Sequence, residues 1–249
     1  MPTEHLAWAG RYAAEKQPDN IICIGDFADV PSFSTWDAPG SLASEGRRYK
    51  KDLEAVWRAM ELFMAPIAKV PRYNPQLDLT LGNHEHHITR QVERDPRFEG
   101  IISLEDLRYE EFGWNVHPFL QPVVIDGFHY AHYFPSGIMG RPCTNARKLL
   151  NTYHVSCIAG HQQGREVAYA KRGDGRMLLA IIAGSFYQHK ESYLTPLANR
   201  CWQGLVMLHE TCDGEADEMF VSLRYLRRKY GQTTQKRWLY PRRKNENKR

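Results

Sequence analysis

Long apolar runs are missing from this sequence. The longest uninterrupted apolar stretch, Met177–Ala183, is far shorter than the roughly 20 residues that a membrane-spanning helix needs. The amino-terminal segment MPTEHLAWAG also lacks the basic region and the apolar stretch of a secretory signal. These absences predict a protein with no membrane partner.

Cysteines are few, and they follow no recognisable pattern. No pair has the spacing of a zinc ribbon or of a redox motif, which predicts reduced thiols and a cytoplasmic protein. The five cysteines are Cys23, Cys143, Cys157, Cys201 and Cys212.

Positive charge is concentrated at the carboxyl end. From Arg224 onwards there are eleven Lys/Arg and one acid, which leaves 22 basic and 28 acidic residues before that point. We therefore predict a folded domain over residues 1–230 and a basic tail over residues 231–249. The tail interleaves basic clusters with Tyr and Trp, a composition suited to nucleic-acid binding. A solvated, disordered tail is the alternative explanation.

Apolar periodicity predicts an α/β fold, with helices and strands alternating early and strands following one another later. The predicted helices are Leu6–Glu15, Arg47–Ala68, Leu104–Phe112 and Asn145–Leu150. The predicted strands are Asn20–Ile24, Leu77–Leu81, Val123–Ile125, His129–Phe134, Val155–Ala159, Glu166–Ala170, Met177–Ile182, Leu205–His209 and Met219–Tyr225.

Three predicted strands end in glycine followed by side chains that bind metals. The three segments are Gly25–Asp29 (GDFAD), Gly82–Glu85 (GNHE) and Gly160–Gln163 (GHQQ). Taken singly, each could be an ordinary turn or helix cap. Together they supply the carboxylate, amide and imidazole ligands that suit a divalent ion such as Mn²⁺, Fe or Zn²⁺.

This order of motifs resembles the calcineurin-like metallophosphoesterases, whose pattern is D-x-H, G-D-x-x-D, G-N-H-D/E, H and G-H-x-H. The similarity runs from about Leu6 to Glu210. It implies a four-layer α/β/β/α sandwich and hydrolysis of a phosphoester, with two metal ions about 3.5–4 Å apart clamping the phosphate and activating water.

The resemblance also implies residue roles. Asp26 matches the carboxylate that bridges two metals, and Asn83 and His161 match ligands of the second metal. His84 matches the histidine that protonates the leaving oxygen. Asp29 and Glu85 would orient the ligands, and Glu85 completes the specific GNHE motif.

The family's remaining histidine ligand falls in the segment His129-Tyr130-Ala131-His132. His132 is favoured because it comes at the end of the apolar run, where a strand-end ligand belongs. His129 is three residues earlier and would face the opposite side of the strand. His129 remains the alternative.

Two departures from the family pattern affect the first metal. No D-x-H motif precedes the first helix, so the family's first strand is expected to be missing, unless the chain is an amino-terminally shortened form. Gln163 stands where the family has a histidine that binds the first metal. Its amide oxygen can coordinate a hard ion, so Gln163 stays a candidate ligand, but it is a poor zinc ligand. The pattern thus predicts one nearly complete metal site and one impaired site.

The predicted function is a metal-dependent phosphoester hydrolase, preferably a phosphodiesterase or nuclease. It would use one or two divalent ions, with Mn²⁺ favoured over Fe, Zn²⁺ or Mg²⁺. The alternative is a catalytically weak or inactive scaffold that binds nucleic acid or supports assembly. A protein phosphatase is a weaker third hypothesis. His189 is expected to line the pocket.

Overall fold

The structure is a computed structural model that describes residues 3–34, 41, 44–188 and 201–231. His189 and residues 232–249 of the predicted basic tail lie outside the described residues. No helix within these ranges is long and apolar enough to cross a membrane. The described chain has a mixed α/β fold.

Five α-helices and twelve strands occur in the described ranges. The helices are α1 (Glu4–Lys16), α2 (Tyr49–Ile67), α3 (His86–Arg94), α4 (Ala146–Tyr153) and α5 (Leu223–Tyr230). The strands are β1 (Asn20–Cys23), β2 (Gln76–Thr80), β3 (Asn115–His117), β4 (Val123–Ile125), β5 (Phe128–Ala131), β6 (Pro135–Ser136), β7 (Arg141–Pro142), β8 (Cys157–Ala159), β9 (Arg165–Lys171), β10 (Met177–Ala183), β11 (Gly204–Cys212) and β12 (Glu215–Ser222).

Two sheets organise the molecule. Strands β1, β2 and β3 form a parallel sheet in that order. The second sheet has the order β4-β5-β8-β10-β9; its central strands β5, β8 and β10 are parallel, and the edge strands β4 and β9 are antiparallel to their neighbours. Strands β11 and β12 pair as an antiparallel hairpin, as do β6 and β7. Within residues 3–34, the first strand is β1, and α1 precedes it.

Helix α2 covers one face of the parallel sheet. Its buried Leu53, Val56 and Met60 lie on one stripe of the helix and pack in the same cluster as Leu77 and Leu79 of β2. This spacing follows the helical period. Every second residue of β2 therefore faces α2, and the other face of the sheet is left for a different layer.

That other face meets the second sheet. Ile22 and Ile24, at β1, share a cluster with Phe128 of β5 and Ile158 of β8. On the far side of the second sheet, α4 packs through its own apolar stripe. The apolar runs predicted to be buried strands are thus covered on both faces, as their composition indicates.

Two predicted elements differ in kind from the structure, while others differ only at their ends, such as the predicted strand His129–Phe134, which ends at Ala131. The predicted helix Leu104–Phe112 is two short 3₁₀ helices, because Arg108 takes a left-handed conformation with φ of 59° and breaks the helical path. The predicted strand Met219–Tyr225 ends at Ser222. There the Ser222 side chain accepts a hydrogen bond from the Tyr225 N–H and caps α5.

Candidate metal centre

Strand ends position the predicted metal ligands. Asp26 follows β1, Asn83 follows β2, His132 follows β5 directly and His161 follows β8. Within each sheet these strands run parallel, so their carboxyl ends lie at one edge. Contact between the sheets through the β1 residue Ile22 brings the two edges together. Residues more than 100 positions apart thereby become neighbours.

Four polar atoms converge at this edge. His132 Nε2 lies 2.9 Å from Asn83 Oδ1, 3.1 Å from His161 Nδ1 and 3.1 Å from Asp26 Oδ2. His161 Nδ1 lies 2.9 Å from Asn83 Oδ1. Ligand atoms around a four-coordinate ion are spaced at roughly 3.3 Å, given metal–ligand bonds of about 2.0–2.1 Å. The group therefore has the composition and the spacing of a metal-ligand set.

Acceptor atoms face one another within this group. His132 Nδ1 lies 2.9 Å from the Ile24 carbonyl oxygen, which can only accept, so Nδ1 carries the hydrogen. In the neutral ring Nε2 is then an acceptor, and it faces the Asp26 carboxylate at 3.1 Å. Two acceptors at this distance need a positive charge between them, either a proton on Nε2 or a metal ion. This conclusion holds whichever way the Asn83 amide is turned, and a divalent ion is one of the two species that would satisfy it.

Two glycines allow the close approach of these segments. A Cβ atom on Gly82 would lie 2.1 Å from Asp26 Oδ1, and one on Gly25 would lie 2.7 Å from His132 Nδ1. Asp26 and His161 themselves take left-handed backbone conformations, with φ of 53° and 61°. Such conformations are unfavourable for residues other than glycine and concentrate at functional sites.

Glu85 ties two of the ligand loops together. Its carboxylate is fully buried and accepts hydrogen bonds from the backbone N–H groups of Asp26, Ala28 and Gly82 at 2.9–3.0 Å. The Tyr109 hydroxyl donates a fourth at 3.1 Å. Burial and the charge of Asp26 raise the pKa of Glu85. Glu85 therefore lies behind the ligands, as an orienting residue would.

His84 lies beside the ligand group and is held by Asp29. His84 Nδ1 lies 3.0 Å from Asp29 Oδ1, and His84 Nε2 lies 3.8 Å from Asp26 Oδ2. Burial alone would lower the pKa of His84, but the hydrogen bond to Asp29 and the charge of Asp26 outweigh it and raise the pKa to about 9. With Nδ1–H donated to Asp29, Nε2 is the atom available for proton transfer.

The ligand group itself has shifted acid–base equilibria. Burial would raise the pKa of Asp26, but the hydrogen bond and charge of His132 lower it to about 2. Burial opposes the charged form of His132, yet contact with Asp26 raises its pKa. For His161, burial and the charge of His132 together lower the pKa to about 4. His161 is thus kept in the neutral form that ligates metals.

Two further residues considered from sequence, Gln163 and His129, make contacts of their own. The side-chain oxygen of Gln163 accepts a hydrogen bond from the Tyr187 hydroxyl at 2.6 Å. His129 pairs with Cys157 of β8 and Val124 of β4 inside the second sheet, three residues before His132. The structure therefore brings together Asp26, Asn83, His132 and His161 with His84, while the ligand roles themselves stay predictions.

Sequence reasoning missed several neighbours of this site. Tyr109 donates to Glu85 from a 3₁₀ region predicted as a helix, and the Ile24 carbonyl fixes the His132 ring. The Tyr133 ring lies 5.0 Å from that of His161. Tyr133 directly follows the predicted ligand His132, which was the one local signal that could have identified it.

Comparison with known proteins adds distant phage relatives. The chain is 24% identical over 202 residues to the Gene 54 protein of Mycobacterium phage D29, covering 77% of this chain and 76% of that protein. It is 26% identical over 218 residues to the Gene 54 protein of Mycobacterium phage L5, covering 82% of this chain and 81% of the relative. No family model matches. Neither name states an activity.

Proposed function

We propose that this protein is a metal-dependent phosphoester hydrolase, preferably a phosphodiesterase or nuclease, built on a four-layer α/β/β/α sandwich. The packing of α2 on the parallel sheet, of that sheet on the second sheet and of α4 beyond it supports this layer order. The proposed cofactor is a divalent ion, with Mn²⁺ favoured and Fe, Zn²⁺ or Mg²⁺ as alternatives.

The convergence of acceptor atoms carries the proposal. Asp26 Oδ2, Asn83 Oδ1, His132 Nε2 and His161 Nδ1 form one group, and these four residues would hold the ion. A bound divalent ion would polarise a phosphoryl oxygen and lower the pKa of water at the site. His84, at the edge of the group, would act on the substrate itself.

His84 is the proposed acid. Its Nδ1–H donates to Asp29 and its Nε2 points back towards Asp26, so the ring is oriented by a carboxylate and one nitrogen stays available. Nε2 would hold the proton that passes to the leaving oxygen of the ester. General acid catalysis of this kind contributes about 10²- to 10⁴-fold to a rate.

Activity assays with one catalytic variant test the proposal. Purified protein supplied with Mn²⁺ should hydrolyse bis-p-nitrophenyl phosphate and the dinucleoside phosphate thymidylyl-thymidine. On the second substrate, whose alkoxide leaving group needs a proton, His84→Ala should lower kcat by about 10²- to 10⁴-fold while Mn²⁺ still binds. His129→Ala, a histidine change on β5 outside the ligand group, is the matched control and should retain activity. Absence of metal-dependent turnover, or turnover that His84→Ala leaves unchanged, would refute the proposal.

A second candidate function is a weak or inactive phosphoesterase scaffold that binds nucleic acid or supports assembly. The hydrogen bond from the Tyr187 hydroxyl to the Gln163 side-chain oxygen favours it, because that oxygen is already engaged and the first metal site would lack one of its expected ligands. On this hypothesis the basic tail would bind the nucleic acid. This hypothesis expects salt-sensitive DNA or RNA binding without hydrolysis, lost when residues 231–249 are deleted. Binding that survives the deletion would contradict it.

A further inference from the structure

We propose that three aromatic rings beside the candidate metal centre bind a nucleobase, so that the substrate is a nucleotide ester or a nucleic-acid phosphodiester. The rings are Tyr133, Phe119 and His86, here called the aromatic wall. This inference rests on the proposed function and specifies its substrate class.

The aromatic wall begins at the ligand group and leads away from it. The Tyr133 ring centroid lies 5.0 Å from that of His161 and 6.0 Å from that of His132. Phe119 meets Tyr133 edge-on at 5.5 Å. His86 stacks on Phe119 at 4.9 Å with an angle of 28° between the rings. A group esterified to a phosphate at the ligand group could therefore reach these rings.

Three separate parts of the fold supply the wall. Tyr133 follows β5 and His132, Phe119 lies two residues beyond β3, and His86 begins α3 directly after the GNHE motif. All three side chains are only partly buried, although Ala131 and Phe134 on either side of the Tyr133 segment are buried. The rings thus keep part of their aromatic surface exposed to a ligand, although Phe119 also packs against the hydrophobic core.

The chemistry of this surface selects a flat ring. Nucleobases stack on aromatic side chains, with about 1–3 kcal/mol per base lost on removal of the ring. A phosphorylated serine or a simple sugar phosphate offers no flat ring to match such a surface. Arg90 lies one helical turn after His86 on α3 and is exposed. It adds a positive charge suited to a neighbouring phosphate of a nucleic acid.

Two substrates with the same leaving group isolate the role of the wall. Thymidine 5′-trifluoroethyl phosphate and methyl trifluoroethyl phosphate both release trifluoroethanol, which has no ring, and only the first carries a base. Phe119→Leu keeps an apolar side chain and removes the ring. It should lower kcat/KM for the thymidine ester by about fivefold to a hundredfold, mainly through KM, and change the methyl ester less than about twofold. Leu120→Ala, the exposed neighbour, is the matched control and should change neither.

A binding measurement separates failure of this inference from failure of the proposed function. Calorimetric titration with thymidine 5′-monophosphate and with methyl phosphate needs no turnover. A preference for the nucleotide that Phe119→Leu removes would support the wall even in an inactive protein. Equal binding of both ligands, or equal loss of kcat/KM on both esters in Phe119→Leu, would overturn the inference whether or not the protein is a hydrolase.

Discussion

Glu85→Gln tests how strongly one buried carboxylate holds the ligand loops. The carboxylate accepts from Asp26 N–H and Gly82 N–H through one oxygen, and from Ala28 N–H and the Tyr109 hydroxyl through the other. Glutamine keeps the shape but has a single oxygen. The cheaper orientation turns the amide NH₂ towards Ala28 and Tyr109, because a hydroxyl can rotate and accept. The Ala28 N–H is then left facing a donor.

The cost of this change can be estimated from its parts. One buried, unsatisfied N–H costs about 1–3 kcal/mol, and two hydrogen bonds to Asp26 and Gly82 that lose charge assistance cost about 1 kcal/mol each. Burial of the carboxylate raises the pKa of Glu85, which shows that burying its charge is costly. A neutral amide avoids that desolvation cost, and this offsets part of the loss. We expect Glu85→Gln to lower the free energy of unfolding by about 2–4 kcal/mol.

Urea denaturation of the metal-free protein, followed by circular dichroism, measures this difference as a lower midpoint at an unchanged m value. Asp78→Asn is the matched control. Asp78 is also buried, but its partners are the Gln76 amide and the His117 ring, at 2.8 Å and 2.7 Å. The Gln76 amide or the His117 ring can turn an acceptor towards the new amide NH₂, so Asp78→Asn should lower the free energy of unfolding clearly less than Glu85→Gln does. A Glu85→Gln protein within about 0.5 kcal/mol of wild type would refute the reasoning.

Two further predictions concern the ligand loops. Gly82→Ala places a methyl group where a Cβ lies 2.1 Å from Asp26 Oδ1. In equilibrium dialysis this change should weaken Mn²⁺ binding at least about tenfold, a loss of about 1.4 kcal/mol. The control Gly173→Ala, where a Cβ would meet open space, should leave Mn²⁺ binding unchanged. Equal Mn²⁺ affinities of the two variants would contradict the expected displacement of Asp26. Asp29→Asn removes the anion bound to His84 and should lower the His84 pKa from about 9 towards 6.5 in NMR titration of the metal-free protein. Because the pKa of His84 is raised in the folded protein, protonated His84 stabilises the fold below about pH 6.5, and this stabilisation is lost as the pH rises to about 9. The variant should therefore also flatten the dependence of stability on pH between 6.5 and 9. An unshifted titration would show that Asp29 does not set the His84 pKa.

Local pattern was sufficient for the buried strands. Residues 20–24 and 77–81 are short apolar runs ending in glycine, and both prove to be strands covered on two faces. Helix α3 was missed because it is mostly polar, with His87 and Ile88 as its buried residues. The end of β12 was misplaced because Leu223 and Leu226 continue an apolar pattern, yet their spacing belongs to a helix that buries both against α1.

Local sequence pattern also predicted only part of the site. Asp26, Asn83 and His84 stand in local motifs, so their presence at strand ends followed from spacing alone. The contact between His132 and the Ile24 carbonyl spans 108 positions, and no local pattern encodes it. It depends on how two sheets pack, and this packing sets the tautomer of the His132 ring and hence the need for a proton or a metal ion at Nε2. The aromatic wall was missed for the same reason, because Phe119 and Tyr133 meet only across separate strands.

The geometry also bears on how many ions the site would hold. The ligand atoms of Asn83 and His161 and Asp26 Oδ2 all lie within 3.1 Å of His132 Nε2. The other Asp26 oxygen accepts the His84 backbone N–H at 3.0 Å, and the side-chain oxygen of Gln163 is bound to Tyr187. We therefore favour a single ion. With one ion, less positive charge is available to neutralise the phosphoryl group, so protonated His84 would contribute more of the stabilisation of the transition state. On this argument the kcat loss in His84→Ala should lie near the upper end of its expected range, and metal analysis should give one Mn²⁺ per chain.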